Sequence, residues 1–321
     1  MHKVRITLFL LMAAAILVLA LCAGPRTINP LAMTATEREI LLSIRLPRVA
    51  VALLMGMALG ASGAILQGVL RNPLADPYIL GISSGASLAA ALGLLAGFYV
   101  FGGSSVPVSA FIGASLVSIL VGAFGWKRGG LWPERLLLAG IGLNFLFSAV
   151  LMLLMSISSD EGLRRAVLWM FGDLSMADWT LIPSASVFII IGLGIALFRS
   201  KALNALILGD EFAYSLGFAV QRERLILFVA MALMTSASVS LGGTIGFIGL
   251  LMPHIVRFLL GADSRLLVPA SAVAGGAFLC FADLIGRSLM PPLELPSGTV
   301  TAVIGAPYFL YLLRKKDVLG V

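Results

Sequence analysis

The segment that most constrains this chain is an apolar run between two charged residues, Arg48 and Arg71. The 22 residues 49–70 (VAVALLMGMALGASGAILQGVL) contain no charged side chain. An α-helix needs about 20 apolar residues to cross the hydrocarbon part of a bilayer, so this run is long enough to span a membrane. Small residues recur along it three and four positions apart, namely Gly56, Gly60, Gly63, Ala64 and Gly68. That spacing places them on one helix face, where another helix backbone can approach closely.

The composition extends this conclusion to the whole chain. Hydrophobic residues make up 60% of the 321 residues and charged residues only 12%, and the mean hydropathy is +1.07. No water-soluble fold can bury so much apolar surface, so we predict an all-α polytopic membrane protein. The formal charge of +7 is therefore first interpreted as an unequal distribution of Lys and Arg between the loops on the two sides of the membrane. No nucleic-acid partner is expected.

Ten apolar segments are candidate membrane spans. They lie near residues 6–24, 48–70, 82–100, 107–126, 135–157, 181–198, 225–242, 245–260, 267–287 and 298–313. The first follows Lys3 and Arg5 and has a longer apolar core than a cleaved signal peptide, so it is interpreted as a retained span. We expect about ten transmembrane helices in a single transmembrane permease-like domain over residues 1–321. The longer connections, at 25–47, 158–180 and 199–224, leave no room for a soluble catalytic domain.

Basic residues are distributed unequally between the two sides of such a bundle. With a cytoplasmic N-terminus, 15 of the 22 Lys and Arg residues fall on cytoplasmic segments, and 7 fall on outer segments. The outer ones are Arg26, Arg38, Arg45, Arg48, Arg164, Arg165 and Arg287. Because Lys and Arg favour cytoplasmic loops, both termini are predicted to be cytoplasmic. Ten spans then divide into two inverted five-helix halves, as in many transporters.

The connection at 199–224 (RSKALNALILGDEFAYSLGFAVQRER) is predicted to contain a short cytoplasmic helix. Its middle, Leu206 to Leu216, carries the acidic pair Asp210 and Glu211, and Gly217 is a plausible helix stop. Such a helix can lie passively on the membrane surface. It can equally fill a groove on a cytoplasmic partner.

Several long motifs together resemble one transporter family. These are RLPRVAVALLMGMALGASGAILQGVLRNPLADPYILGISSGAS, LGDEFAYSLGF, GTIGFIGLLMPHIVR, ADLIGR and ELPSGTVTAVIGAPYFLYLLRK. In order and spacing they resemble the FecCD-type cobalamin and iron-siderophore permease family of type II ABC importers, from about residue 40 onwards. The resemblance implies ten spans and a homodimer in the bacterial inner membrane. It also implies two ATP-binding subunits and an extracytoplasmic substrate-binding protein as partners.

The resemblance assigns roles to residues at three places. Docking of the binding protein falls on Arg45, Arg48 and Arg287, whose planar guanidinium groups suit carboxylates. The cytoplasmic gate falls on Asn72, Pro73 and Leu74. Contact with the ATPase falls on Gly209, Asp210, Glu211, Ala213, Leu216 and Gly217. Two purely structural interpretations stay open: Arg287 forms an ion pair with Asp283 four residues earlier, and Pro73 ends a span without acting as a gate. A second gate of the family would use small hydroxyl residues where this chain has Leu131, Trp132, Pro133 and Glu134.

The sequence contains no recognisable catalytic or metal-binding pattern. The two cysteines, Cys22 and Cys280, lie in apolar runs and indicate neither a disulfide nor a metal site. A phosphate-binding G-x-x-x-x-G-K-[ST] motif is absent, so ATP and Mg would be bound by the partner ATPase and this chain needs no cofactor. The resemblance implies a permease for a metal chelate, with a ferric siderophore ahead of haem, cobalamin or molybdate. The alternatives are an ion-coupled secondary transporter and a membrane-embedded enzyme.

Overall fold

The structure is a computed structural model that describes residues 2–24, 27–29, 32–95, 104–158, 160–175 and 177–314. Three basic residues used in the charge count, Arg26, Lys315 and Lys316, lie outside these ranges, as does the end of the predicted 82–100 span.

Helices account for nearly all regular structure in the described ranges. The helices are α1 His2–Cys22, α2 Ala35–Ile40, α3 Leu46–Leu70, α4 Ile82–Leu95, α5 Ser105–Gly125, α6 Pro133–Ser156, α7 Asp160–Met170, α8 Ile182–Phe198, α9 Ser200–Ile207, α10 Asp210–Ser215, α11 Val220–Gly242, α12 Ile248–Leu260, α13 Ser264–Ser288 and α14 Ser297–Arg314. A two-stranded antiparallel hairpin, β1 Trp126–Lys127 and β2 Gly130–Leu131, joins α5 to α6.

The predicted all-α membrane fold class is confirmed. A helix lies over each of the ten apolar segments. Within the described ranges, six helices are long and apolar enough to cross a membrane, and α8 with α9 gives a seventh if this pair, bent by 62°, counts as one span. The total of ten spans, the cytoplasmic termini and the inverted halves stay predictions.

The connection before α3 differs from the prediction of a loop over 25–47. Residues 35–70 are continuously helical, because a five-residue π-turn, Leu41–Arg45, joins α2 to α3. Pro47 has no backbone N–H and its ring crowds the carbonyl four residues earlier, which breaks the regular α-helical pattern there. The wider turn accommodates this local misfit without ending the helix. It also turns Arg45 towards the end of α1.

α3 lies at the centre of the bundle and packs against α13, α11 and α12. Its glycines meet backbone atoms directly. A Cβ at Gly56 would overlap the carbonyl of Gly275, and a Cβ at Gly63 would overlap the carbonyl of Gly249. Packing between membrane helices depends on such close approach, since lipid offers no hydrophobic driving force between helices. The small-residue stripe seen in the sequence is therefore a helix contact.

Gly63→Ala is expected to lower the free energy of unfolding by about 1–3 kcal/mol, because the new methyl must push two backbones apart. Gly142→Ala is the matched control: Gly142 lies inside α6 with nothing within 4 Å of a built Cβ. Alanine there should leave stability unchanged or raise it by about 0.5–1 kcal/mol. Thermal unfolding of the purified variants in detergent measures both. Equal melting temperatures for the two variants would contradict the close contact.

Candidate functional site

The predicted cytoplasmic helix at 206–216 is broken into two. α9 ends at Ile207, and Gly209 has a φ of +119°, a backbone conformation that side-chain-bearing residues rarely adopt. α10 begins at Asp210, and its end is followed by Gly217 with a φ of +84°. The prediction of one continuous helix was wrong because the left-handed residue at 209 cannot continue a helix. Gly217 does follow the helix end, as predicted.

α9 is fastened to the start of α13 by side-chain hydrogen bonds. The Asn204 amide donates to Asp263 Oδ1 at 2.8 Å, and its oxygen accepts from the Ser264 backbone N–H at 2.8 Å. The hydrogen bond from Asn204 and that from the Arg265 backbone hold the pKa of Asp263 below its usual range. α9 is therefore a fixed support from which α10 projects.

α10 presents an apolar surface on its outward side. Ala213 is fully buried beneath it, whereas Phe212, Tyr214 and Leu216 are exposed, Tyr214 to 78%. Three large apolar side chains exposed together on a short helix and directly after its end are typical of an interaction site. Glu211, Leu216 and Gly217 among the predicted contact residues are exposed, while Gly209 and Asp210 are half-buried and Ala213 faces inward.

Asp210 is directed into the protein, where it meets two arginines. Its Oδ1 accepts from Arg224 Nη2 at 2.7 Å and lies 3.7 Å from Arg71 Nη2. Arg224, near the start of α11, is only 1% exposed. A buried guanidinium needs a carboxylate close by, because an isolated charge is costly to desolvate. Asp210 therefore compensates the charge of Arg224 and links α10 to α11.

Arg224 also holds the β1–β2 hairpin in place. Its Nη1 donates to the backbone carbonyl of Leu131 at 2.8 Å, and Leu131 is fully buried. Trp132 precedes α6, and Pro133 and Glu134 form the first turn of that helix. Thus the residues at the place of the family's second gate stand directly behind the Asp210–Arg224 pair.

The predicted gate residues Asn72, Pro73 and Leu74 follow the end of α3 in a tight turn. Arg71 closes α3 with a left-handed φ of +51°, and the Asn72 side chain accepts from the Leu74 backbone N–H at 2.9 Å. All three gate residues are half-buried. The neighbouring Arg71 is the residue that reaches Asp210, so the turn is connected to α10.

Beyond this turn the chain folds back against α12. The short 3₁₀ helix Pro77–Leu80 places the Tyr78 hydroxyl where it accepts from the Ile245 backbone N–H at 3.2 Å. Gln67 accepts from Arg257 Nη2 at 3.0 Å and donates to the carbonyl of Gly249 at 3.3 Å. These bonds tie the end of α3 before the gate turn, and the 3₁₀ helix after it, to α12 and the segment that precedes it.

The three arginines predicted to dock a binding protein lie together, but they are buried. Arg45, Arg48 and Arg287 are 5%, 7% and 4% exposed. Arg45 Nη1 donates to the carbonyls of Leu21 and Cys22, at 3.0 and 2.9 Å, and Arg287 Nη2 donates to the carbonyl of Ala20. The last carbonyls of a helix have no partner within it, and cations suit that end. Arg45 and Arg287 therefore cap α1.

Arg48 forms the strongest ion pair of this cluster. Its Nε donates to both oxygens of Asp283, at 3.0 and 3.1 Å, and its Nη1 donates to Glu294 at 2.7 Å. Asp283 also accepts from Ser297 at 3.0 Å and lies 3.6 Å from Arg287 Nε. The Asp283–Arg287 pair considered from the sequence is thus present, although in a buried site. A docking role for these arginines stays a prediction.

Several residues of these networks were not predicted from the sequence. Arg71, Arg224, Gln67 and Arg257 make the contacts around α10 and the gate turn, and Phe212 and Tyr214 form its exposed surface. The aromatic pair within LGDEFAYSLGF was a readable signal. The two or three residues around each of Arg71, Arg224, Gln67 and Arg257 gave no such signal, because the partners of these four side chains lie elsewhere in the chain. Among the residues that the structure describes, no group of three or more His, Cys, Asp or Glu side chains could hold a metal ion.

The chain matches known proteins over almost its entire length. Residues 9–315 match the FecCD transport family profile. The chain is 43% identical over 282 residues to the hemin transport system permease protein HmuU of Yersinia pestis, covering 87% of this chain and 84% of the relative. It is 39% identical over 290 residues to the iron(3+)-hydroxamate permease FhuG of Bacillus subtilis, with coverages of 88% and 86%. It is 40% identical over 284 residues to the cobalamin import permease BtuC of Halobacterium salinarum, with coverages of 88% and 75%.

A solved structure is similar throughout the chain. It is described as an inward-facing conformation of a metal-chelate type ABC transporter, with a TM-score of 0.88 and 31% sequence identity. The match covers 98% of this chain and 99% of that one.

Proposed function

The chain belongs to the FecCD transport family and is a permease subunit of an ABC importer, and we propose that its cargo is an iron(III) chelate, with a ferric siderophore first. Family membership removes the sequence-based alternatives of an ion-coupled secondary transporter and a membrane enzyme. The observation that carries the proposal is the family match over residues 9–315, together with the exposed α10 surface at one end of the bundle.

The proposed partners follow from what this chain lacks and what it exposes. A multi-pass permease without a nucleotide-binding motif needs ATP-binding subunits, and we place two of them beneath a homodimer in the inner membrane of a bacterium. ATP and Mg would be bound by those subunits, and the chain itself would need no cofactor. Phe212, Tyr214 and Leu216 on α10 supply an apolar surface for the ATPase.

The proposed motion passes from α10 into the bundle. Closure of the ATPase subunits would push α10, and Asp210 would transmit the displacement through Arg224 to the hairpin before α6. Arg71 would carry it to the Asn72–Leu74 turn. The two Arg224 contacts, to Asp210 at 2.7 Å and to the Leu131 carbonyl at 2.8 Å, are short and charge-assisted, so they would transmit a displacement with little slack. The Arg71–Asp210 pair is longer, at 3.7 Å.

An extracytoplasmic binding protein is proposed to deliver the chelate near Arg45, Arg48 and Arg287. These three arginines are buried and already hydrogen-bonded within the chain. They would therefore act on the binding protein through their positive electrostatic potential more than through direct contact. Such potentials mainly raise the rate of encounter. Arg48→Glu would also break the Asp283 pair, so Arg45 is the better position for a test.

Reconstitution in proteoliposomes tests the function and its partners. We expect ATP-dependent accumulation of a ferric siderophore only when the ATPase and the binding protein are both present. Arg45→Gln should slow association of the loaded binding protein about threefold to tenfold at low ionic strength, with the difference lost in high salt. Lys201→Gln, at an exposed base on the proposed cytoplasmic side, is the control and should have no such effect.

Three outcomes would contradict these proposals separately. Accumulation by the permease alone, without ATPase, would overturn the assignment of its energy source. Accumulation of haem but not of a siderophore would identify haem as the cargo and leave the proposed mechanism unchanged. Equal association rates for Arg45→Gln and the unaltered protein at low salt would remove the docking role.

A further inference from the structure

A groove between α5 and α11 has no role in the transport scheme. It encloses about 470 Å³, and its lining includes Ile119 and Gly122 from α5, Trp126 and Leu131 from the hairpin, and Phe228 and Ala232 from α11. Ile119 is 67% exposed and Trp126 and Val229 nearly half, so the groove opens on the outer surface of the bundle. An exposed apolar surface of this kind meets lipid in a membrane unless a second chain covers it.

The groove has the length and chemistry of a single acyl chain. α5 and α11 run in opposite directions here, since the hairpin that follows α5 lies, at Gly130, against Gln221 in the first turn of α11, while Gly122 lies against Phe228 two turns further on. The lining extends from Ser115 to Ala123 along α5, continues to Trp126 in the hairpin, and runs from Ser236 to Leu225 along α11. Eleven helical residues rise about 16 Å, which fits most of a phospholipid acyl chain. Apart from three serines, the lining is apolar.

One end of the groove carries the features of a membrane–water interface. Trp126 and Trp132 are both nearly half exposed, and Trp132 Nε1 donates to the Lys127 carbonyl at 2.8 Å. Tryptophan concentrates at the headgroup level of bilayers. Beyond the tryptophans, Lys127 and Arg128 form the exposed turn of the hairpin.

The bases at this end are free to meet an anion. In the described part of the chain no ion pair joins Lys127, Arg128 or Arg222 to an acid. Glu223, which follows Arg222, forms its ion pair with Arg199 instead, at 2.9 Å. The one exposed acid close in sequence, Glu134, is followed by another base, Arg135. Basic residues between spans on the cytoplasmic side attract anionic headgroups.

We propose that this groove binds one anionic glycerophospholipid of the cytoplasmic leaflet. An acyl chain lies between α5 and α11, and the headgroup phosphate lies at Lys127 and Arg128. The choice of leaflet rests on the proposed function, in which α10 and the hairpin face the cytoplasm. Because Leu131 at the base of the groove accepts from Arg224, the lipid would lie beside the contacts that connect α10 to α6.

Native mass spectrometry of the full chain in detergent tests the site without any transport assay. Phosphatidylglycerol and phosphatidylcholine with identical acyl chains are titrated in parallel. We expect one phosphatidylglycerol to bind per chain in preference to phosphatidylcholine. The double variant Lys127→Gln/Arg128→Asn should weaken phosphatidylglycerol binding by about fivefold to thirtyfold and leave phosphatidylcholine unchanged. Asparagine is chosen because Arg128 has a φ of +50°, a conformation that asparagine tolerates.

Two further variants distinguish lipid binding in the groove from general attraction of anionic lipid to surface charge. Ala232→Phe fills the groove and should weaken both lipids, whereas Lys201→Gln removes an exposed base elsewhere on the same side and should change neither. Phosphatidylglycerol with brominated acyl chains should quench fluorescence less in Trp126→Phe than in the unaltered chain, a readout that survives if Ala232→Phe fails to fold. Unchanged phosphatidylglycerol affinity in the double variant, or quenching that does not depend on Trp126, would overturn the proposal. Loss of dimer with retained lipid in Ala232→Phe would also overturn it, by assigning the groove to a second copy.

Discussion

Asp283→Ala is expected to lower the free energy of unfolding by about 3–5 kcal/mol, because it leaves buried guanidinium groups without their shared carboxylate. Asp283 is 1% exposed and accepts from Arg48 Nε and from Ser297, with Arg287 Nε 3.6 Å away. Glu294 would remain beside Arg48, but its side chain is 43% exposed, so water weakens its attraction. Thermal unfolding in detergent measures the loss.

Glu294→Gln is the matched control for this prediction. It removes the second acid of the same arginine while keeping an acceptor oxygen, and the cost should stay below about 1 kcal/mol because the site is partly solvated. Adding Arg48→Met to Asp283→Ala should recover part of the loss, since it removes one of the charges left unpaired. A melting temperature for Asp283→Ala within the range of Glu294→Gln would show that Asp283 does not hold the cluster together.

Asp210→Asn is expected to reduce ATP-driven chelate uptake by about tenfold or more while the permease still assembles with its ATPase. The substitution keeps the size of the side chain and removes the charge that Arg224 and Arg71 face. Although Asp210 is itself 39% exposed, its partner Arg224 is only 1% exposed, and loss of a charge-assisted hydrogen bond to so buried a cation amounts to about 1.5–3 kcal/mol, a roughly tenfold to hundredfold change in an equilibrium. We expect hydrolysis to continue without transport.

Glu211→Gln provides the comparison, since Glu211 is the adjacent acid on α10 and is exposed. It should alter the affinity for the ATPase more than it alters the ratio of uptake to hydrolysis. Arg224→Lys keeps a charge but cannot reach both Asp210 and Leu131 with a planar group, so it should uncouple as Asp210→Asn does. If Asp210→Asn instead weakens assembly with the ATPase, and the complexes that still form keep the normal ratio of uptake to hydrolysis, Asp210 is a contact residue and does not transmit motion.

The sequence was informative wherever a property belongs to one segment. Length and hydropathy located the helices over all ten apolar segments, and the spacing of Gly56, Gly60 and Gly63 indicated a face for close helix packing. The π-turn before α3 and the break at Gly209 were missed. Proline and glycine permit such irregularities without requiring them. Contacts with the rest of the fold decide whether a π-turn or a helix break actually forms.

The ion pairs could not be predicted from sequence because partner choice is a property of the assembled fold. Arg48 pairs with an acid 235 positions away, and hydropathy indicates which helix face is buried but not what it meets. Arg45, Arg48 and Arg287 stood out correctly as charges at span edges. The carbonyls at the end of α1 that engage two of them belong to every helix end and leave no mark in the sequence.

The backbone contacts of α3 with α12 and α13 restrict how this family member can vary. With carbonyl groups resting on glycines at Gly56, Gly60 and Gly63, the three helices fit together in one register only. A single inserted residue within α3 would rotate everything after it by about 100° and present leucine or methionine side chains where no atoms fit. Changes in length that adapt the protein to another cargo are therefore restricted to its connecting segments, and the central three helices must be inherited as one unit.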